Sequence, residues 1–383
     1  MKSRLKIVHT ESHCQWGGQE MRVFNESRWM SQRGHHIILM APKDSIIYQK
    51  AHHEGWEIYD VSFNRSGMLR DCFRVRSLLR KIQPDVLNTH GNTDGKVVLT
   101  AAIGLEIPCV IKSRHSTPPI KNRWYNRMLY QKLSHYVFTS AISVKKQLIR
   151  DLGVSEEKVF SLPSGFFIPS ELPEHEAARY ALTVEAALSP DTRFIGFIGR
   201  LSHEKGLTFL IDAFSKIKDI LLNYHLILVG SGGFLSTLKE QVRQLDIQDR
   251  VHFLGYRQNP WPYFRAFDCF TLVSSKYEAA AQVIQQSMYA KCSVVGTDVG
   301  GIPDLIVHKE TGLLVLPDHA ELIGKAILQS IKDPESAKQR AEKAFRHVCA
   351  NHTIDALGEK ILEIYQQAIV TTPEESYSGK IRR

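Results

Sequence analysis

Arg200 and Lys205 fall in Phe194-Ile195-Gly196-Phe197-Ile198-Gly199-Arg200-Leu201-Ser202-His203-Glu204-Lys205-Gly206. An apolar strand pattern there ends in Gly-Arg, and Lys-Gly follows where a helix begins. Two fixed cations beside a glycine turn and a helix N-terminus make a site for a diphosphate. A second stretch, Ser274-Ser275-Lys276-Tyr277-Glu278, ends a strand in a carboxylate suited to gripping hydroxyls. The polar Gln286 follows eight positions later on a helix, and the region closes at Gly300-Gly301-Ile302-Pro303-Asp304. A diphosphate and a set of hydroxyls together describe a nucleotide-sugar.

Other residues of chemical interest also fall at the ends of apolar runs. Thr10-Glu11-Ser12-His13-Cys14-Gln15-Trp16-Gly17-Gly18-Gln19-Glu20 follows the first run. Its glycine pair reads equally as a plain turn or as a loop offering free N–H groups at a helix start. It lacks G-x-G-x-x-G spacing, which disfavours NAD or FAD. His90 and His115 each close a strand-like run, and two histidines at equivalent ends raise the case for acid–base or acceptor contacts. No HExxH or His/Cys ligand spacing accompanies them, so no tightly held metal and no cofactor are expected. Gly230-Ser231-Gly232-Gly233 supplies another flexible turn, and Tyr256-Arg257-Gln258-Asn259-Pro260-Trp261 reads as a shelf for a base.

Alternating β-rich and helical stretches must position these residues, a pattern of βαβ units and parallel sheets. Strands are expected at Lys6–Thr10, His36–Ala41, Glu57–Phe63, Asp85–His90, Cys109–Arg114, Tyr136–Ser140 and Val159–Pro163. A second series follows at Phe194–Gly199, His225–Gly230, Val251–Gly255, Cys269–Val273 and Ser293–Gly296. Between them lie helices such as Gln19–Arg33, Met68–Lys81, Ser143–Leu152, Gly206–Lys216 and Gly233–Leu245. The acidic stretch Pro169–Glu176 reads as the crossing between domains, 1–170 and 171–351. Ala320 to about Ile369 reads as mostly helical with a break near Asp333-Pro334, and the tail 371–383 as mobile. Doubly wound sheets bind ligands beyond the carboxyl ends of their strands, so two such sheets are expected to face a shared cleft.

The 383 residues exceed one ordinary core and fit two domains. No apolar run reaches the roughly 18–20 residues of a membrane span. The N-terminus shows no signal-peptide core, which leads to an expectation of a cytoplasmic protein. Six cysteines lie scattered without CxxC spacing, which points to reduced thiols. The net charge of +9 is uneven: residues 1–170 hold 25 Lys+Arg against 14 Asp+Glu, the rest 24 against 26. Arg65, Arg70, Arg74, Arg76, Arg80, Lys81, Lys112, Arg114, Lys121, Arg123 and Arg127 supply much of that excess. A basic first half suits an anionic inner-membrane surface or a phosphorylated acceptor. No motif or aromatic platform supports nucleic acid.

Taken in order, these stretches resemble a retaining GT-B glycosyltransferase of the glycosyltransferase family 4 type (glycosyl transferases group 1). The resemblance rests on Gly17-Gly18, Gly199-Arg200-Leu201, Lys205-Gly206, Val229-Gly230-Ser231-Gly232, Val251-His252-Phe253-Leu254-Gly255-Tyr256, Glu278, Gly300-Gly301-Ile302-Pro303-Asp304 and Thr311-Gly312-Leu313-Leu314-Val315. It implies two Rossmann-like domains, with a last helix near 352–370 packing back on the first. It implies that Arg200 and Lys205 hold the donor diphosphate and that Glu278 binds hydroxyls of the transferred sugar. His90 would act at the reacting centre, and Gln19, His90 and His115 would meet the acceptor. Gly17, Gly18, Gly199, Gly230, Tyr256, Ala281, Gln282 and Gln286 would complete the donor site.

The sequence departs from the family at Gln286, where relatives usually carry a second Glu for the ribose hydroxyls. Gln keeps one acceptor oxygen, loses the charge and adds an NH2 donor. Ala279-Ala280-Ala281 replaces a Gly-rich stretch, and its methyl groups would narrow the sugar pocket. The resemblance implies transfer from a UDP- or GDP-sugar to a glycan or lipid-linked acceptor such as lipopolysaccharide or another cell-surface polysaccharide. The enzyme would then work in the cytoplasm or peripherally on the inner face of the membrane. A non-catalytic GT-B nucleotide-sugar-binding subunit and a GT-B nucleotide-sugar epimerase are the alternatives.

Overall fold

The computed structural model describes residues 4–64, 67–279 and 281–371, and the chain divides into two units, 1–165 with 354–383, and 166–353. Arg65, Ala280 and the tail from 372 onward lie outside the described residues.

The first unit has seven parallel strands: β1 (Lys6–Thr10), β2 (His36–Ala41), β3 (Glu57–Asp60), β4 (Val86–Thr89), β5 (Cys109–Arg114), β6 (Tyr136–Thr139) and β7 (Val159–Ser161). They run in the order β3-β2-β1-β4-β5-β6-β7. Six helices alternate with them: α1 (Gly18–Gln32), α2 (Ile46–His53), α3 (Met68–Ile82), α4 (Asn92–Ala101), α5 (Trp124–Arg127) and α6 (Ile142–Leu152). Every residue of β4 and β5 is buried, including the polar Asn88, Lys112, Ser113 and Arg114. β3 stops three residues before the expected end, and the chain has turned by Phe63, whose φ is +50°. β7 stops two residues before Pro163, which has no N–H for a ladder.

The second unit has six parallel strands: β8 (Arg193–Ile198), β9 (Tyr224–Val229), β10 (Val251–Gly255), β11 (Cys269–Leu272), β12 (Ser293–Thr297) and β13 (Leu313–Val315). Their order is β10-β9-β8-β11-β12-β13. Its helices are α7 (His175–Glu185), α8 (Leu207–Ile217), α9 (Leu235–Gln244), α10 (Trp261–Ala266), α11 (Gln282–Tyr289), α12 (Ala320–Lys332) and α13 (Pro334–Asn351). β13 was not expected from the sequence. It has three residues, only one of them buried, and pairs through Val295 with Leu313, too short a run to show a period. α7 begins where the sequence suggested only a crossing.

A final helix, α14 (Ile354–Thr371), belongs to the first unit. Its Asp355 accepts from Trp29 Nε1 at 2.8 Å and from the Arg33 guanidinium at 2.7 Å. Tyr365 stacks on Phe138 with centroids 6.2 Å apart and receives a bond from Asn88 Nδ2 at 3.4 Å. This helix therefore braces β4 and β6.

In both sheets the strand order reverses beside the first strand of its series, at β1/β4 and at β8/β11. Ligand sites of doubly wound sheets form at such reversals. The loops leaving β1, β4, β8 and β11 carry Glu11–Gly17, His90, Arg200 and Glu278. No helix among the described residues is long and apolar enough to cross a membrane.

Candidate active site

In the second unit, the loops after β8, β9 and β10 are stacked edge to edge. Gly199 N–H donates to Val229 O at 3.0 Å, Leu201 N–H to Ser231 O at 2.9 Å, and Gly230 N–H to Gly255 O at 2.8 Å. Gly230 has φ +143°, and a Cβ there would lie 1.8 Å from Gly199 O. Only glycine allows this approach, and it fixes the backbone from which Arg200 projects. Arg200 is exposed, and its guanidinium has no bond to any described residue. A short 3-10 turn, His203–Lys205, then leads through Gly206 into α8.

Lys205 Nζ lies 2.6 Å from Glu278 Oε2. Ser274 Oγ donates to the same oxygen at 2.6 Å, so Oε1 carries neither bond. The residue before Glu278, Tyr277, sits at φ +58° with a side chain 57% exposed. A left-handed non-glycine residue beside a buried carboxylate is a strained backbone of the kind that clusters at functional sites. Gly300, at φ +59°, lets the loop after β12 reach the backbone oxygen of Glu278, which accepts from Gly301 N–H at 3.0 Å. The sequence assigned Lys205 and Glu278 to separate parts of a ligand; the structure makes them direct neighbours.

The remaining donor-side candidates differ in their surroundings. Tyr256 is 70% exposed. The rest of its expected shelf is occupied otherwise: Arg257 pairs with Glu185 at 2.7 Å, and Trp261 packs with centroids 5.8 Å from both Phe166 and Tyr289. Ala281 is 2% exposed and its methyl is part of the core, so it does not narrow a pocket. Gln282 opens α11, and the half-buried Gln286 lies one turn further along it. Gln285, beside it, is fully buried with both amide atoms unpartnered.

The first unit brings together three histidines. His9 Nδ1 lies 2.8 Å from His90 Nε2, and His90 Nδ1 lies 2.9 Å from His115 Nε2. Burial pushes His9 down to about 4, and burial, then the neighbouring cations and imidazoles, holds His90 and His115 well below the usual range. Neutral imidazoles each offer one donor and one acceptor, so the row is ordered in one direction or the other. Both ring nitrogens of His90 are engaged. His115 Nδ1 and His9 Nε2, the two ends, have no partner among the described residues. His9 was not found from the sequence; it sits within β1, and only the adjacency of β1, β4 and β5 shows its partners.

Asp94 and Glu11 hold the backbone around this row. Asp94 Oδ2 accepts from Thr10 Oγ1 at 2.7 Å and from the N–H groups of His90 and Gly91 at 3.1 Å. Glu11 accepts from Ser12 N–H, His13 N–H and, at 2.6 Å, Gln19 Nε2. Gln19 is therefore tied to Glu11. Gly17 N–H donates to Glu20 at 2.8 Å, so the glycine pair does not offer that N–H to a ligand. Gly18 starts α1 with open space around its Cα. His13 Nδ1 sits 3.1 Å from Glu11 and 3.4 Å from Glu20. These three are the group among the described residues whose donor atoms lie close enough for a metal. The two carboxylates raise His13 to about 10, so an imidazolium fills the place of a cation at neutral pH.

Comparison with solved structures agrees with this architecture. A glycosyltransferase from Rickettsia africae superposes with a TM-score of 0.85 over 97% of this chain and 100% of that one, at 19% identity. Anabaena HepE in complex with UDP gives 0.82 over 95% of this chain and 100% of that one, also at 19%. The fold is GT-B, two Rossmann-like parallel-sheet domains. Within it, residues 16–166 match the model described as Glycosyltransferase Family 4, and residues 183–347 match Glycosyl transferases group 1. The chain thus carries a family 4-type domain followed by a group 1 domain. N-acetyl-alpha-D-glucosaminyl L-malate synthase of Bacillus anthracis is 29% identical over 200 residues, 52% of this chain and 51% of that protein. The lipopolysaccharide core biosynthesis mannosyltransferase LpsB of Rhizobium meliloti is 25% identical over 186 residues, 47% and 53% respectively. The chain spans about half the length of the curated relatives it matches.

Proposed function

We propose that this protein transfers a sugar from a UDP- or GDP-linked donor to a glycan or lipid-linked acceptor, with retention of anomeric configuration. The meeting of Lys205 and Glu278, on the same sheet edge as an Arg200 guanidinium that bonds to no described residue, carries this reading. An ammonium has three N–H donors, and Glu278 engages one of them. The others, with the Arg200 guanidinium, would bind the diphosphate and offset the charge that grows on it as the glycosidic bond breaks. Glu278, fixed by Lys205 and Ser274, has Oε1 left to accept a hydroxyl of the sugar. Gln286 would take the ribose hydroxyls and Tyr256 the base.

With Glu278 engaged in this way, no carboxylate among the described residues of this unit is assigned as a covalent nucleophile. The reading is therefore front-face displacement: the C1–O bond to the β-phosphate breaks while the acceptor oxygen bonds C1. The acceptor proton passes to the departing phosphate. The two side-chain cations supply the charge a metal would otherwise provide, and no tightly bound metal is proposed.

The acceptor side falls to the first unit, with His115, through its unpartnered Nδ1, contacting the acceptor hydroxyl and His90 holding His115. Residues on α3 support attachment to an anionic membrane surface: Leu69 and Phe73 are 77% and 76% exposed, the exposed Arg70 and Arg74 follow each of them in sequence, and Arg80 and Lys81 lie in the last turn. A lipopolysaccharide-type acceptor at the inner face of the membrane accords with this face. The test is to incubate the protein with UDP- and GDP-sugars and lipid or glycan acceptors, and to read the product linkage by NMR. A transferred sugar with the donor's anomeric configuration supports the reading. Inversion, a free epimer, or donor binding without turnover across the panel would each replace it.

A further inference from the structure

We propose that a basic cavity on the first unit, beside β5, binds a phosphoryl group carried by the acceptor. This deepens the transfer reading above and rests on it for the word acceptor; the anion site itself stands on its own observations. The cavity has a volume of about 830 Å³ and is lined by Lys96, Lys112, Arg114, Lys121 and Arg123, with no Asp or Glu among the described residues of its wall. None of the five has a carboxylate within ion-pair distance among the described residues, whereas Arg150, Arg179, Arg193 and Arg257 each pair closely with one. Asp94 and Glu11 act on Lys112 only as more distant charges.

Two of the cations are built into the sheet. Lys112 and Arg114, two apart on β5, project to the same face. Lys112 is 2% exposed, and its ammonium donates to the carbonyls of Gly91 at 2.7 Å, Ser113 at 3.1 Å and Thr89 at 3.5 Å, so it acts on the cavity by its charge. Carbonyls fix its position without cancelling its charge. Arg114 is 7% exposed and donates through Nη2 to Pro118 O, while its Nε is shielded and unpartnered. A carbonyl, not an acid, thus holds the guanidinium in the wall. At the rim, the Lys96 ammonium lies 4.8 Å from the Tyr125 ring, again held without an acid.

Five cations without an acid select an anion, and planar guanidinium forks favour phosphate oxygens. A single carboxylate would leave most of this charge uncompensated; a phosphate monoester or diphosphate suits it better. Arg114 and Ser116 line the cavity on either side of His115 in sequence. His115, the residue between them, is not part of the wall and turns its ring to His90. Met68, Ile120 and Leu129 give the remainder of the ligand an apolar wall.

Calorimetric titration of inorganic pyrophosphate into the full chain at low ionic strength tests this. Four proteins are compared: wild type, Lys121→Ala/Arg123→Ala, Lys121→Arg/Arg123→Lys, and Arg200→Ala. Lys121 and Arg123 are exposed, so the fold should tolerate their loss, and melting curves check it. The cavity variant is expected to weaken one binding event at least about tenfold, with Lys121→Arg/Arg123→Lys restoring it. Weakening by Arg200→Ala alone would overturn the cavity and leave the donor site standing. Weakening by the cavity variant alone would do the reverse, and no change in either would remove both. A soluble sugar 1-phosphate and a polyprenyl monophosphate in phosphatidylcholine vesicles then distinguish the sources. Cavity-dependent binding of either one supports the proposal, and binding of neither, or binding indifferent to Lys121 and Arg123, contradicts it.

Discussion

Lys205 and Glu278, 73 positions apart, meet through a 2.6 Å ion pair beyond the carboxyl ends of β8 and β11. In the proposed reading the pair links the two functions asked of a nucleotide-sugar site, one side chain for phosphate and one for hydroxyls. It also makes them interdependent. Glu278→Gln should weaken the hold on Lys205 and remove a negative charge from beside the diphosphate. UDP should then bind as tightly as to wild type or a few-fold tighter, while turnover falls at least ~100-fold through loss of sugar positioning. Calorimetry with UDP and initial rates with the UDP-sugar separate the two effects. Parallel loss of both would contradict the arrangement.

Gln286 faces the opposite experiment. Restoring a carboxylate with Gln286→Glu exchanges a neutral acceptor for a charged one, worth about 1 kcal/mol on a ribose hydroxyl. Donor affinity should hold or improve roughly fivefold by the same energy. Abolished binding in a titration would exclude Gln286 from the ribose.

The histidine row separates a contact from a support. His115→Ala should reduce transfer about 100-fold with donor affinity unchanged, the order of loss when a group that orients the acceptor hydroxyl is removed. His90→Asn leaves His115 in place but without its partner at 2.9 Å, and a smaller fall in turnover is expected. Rates at saturating donor, with UDP titrations alongside, decide it; equal effects on donor affinity would deny the acceptor role.

Two pH effects follow from opposite shifts. An unfolded imidazole titrates near ~6.5. His9, lowered to about 4 by burial, binds fewer protons folded than unfolded between those values. Its stability contribution is present above pH 6.5 and is lost as pH falls toward 4; a His9→Gln chain should show a shallower acid decline in Tm. His13, raised to about 10 by Glu11 and Glu20, behaves in the other sense. Its contribution is present below 6.5 and lost as pH rises through 10, so the Tm deficit of His13→Gln should vanish by pH 10.5. The His13 effect should be small because its side chain is 60% exposed.

The long apolar runs were legible because their period and glycine punctuation are local. β1, β2, β5 and β10 fall at the expected residues. Arg200 follows β8 as the spacing indicated, whereas Lys205 lies in the 3-10 turn before α8 and Glu278 in the loop six residues past the end of β11 and not at the end of a strand. What was hidden depends on strand order. His9 touches His90 across 81 positions, and the sequence does not say that β4 lies beside β1. The same holds for the cavity beside β5: Lys112 and Arg114 read as part of a diffuse basic half, and only the burial of β5 shows them inside. Trp261 and Ala281 misled because side-chain direction, not position, decides whether a residue lines a site.

Titration of UDP into wild type and Arg200→Ala tests the central claim most directly, that the loop after β8 grips the donor diphosphate. The account predicts saturable binding to wild type and a loss of at least about tenfold on removing the guanidinium, with the melting temperature unchanged because the Arg200 side chain bonds to no described residue. Equal affinity in the two proteins, or no UDP or GDP binding to either, would contradict it.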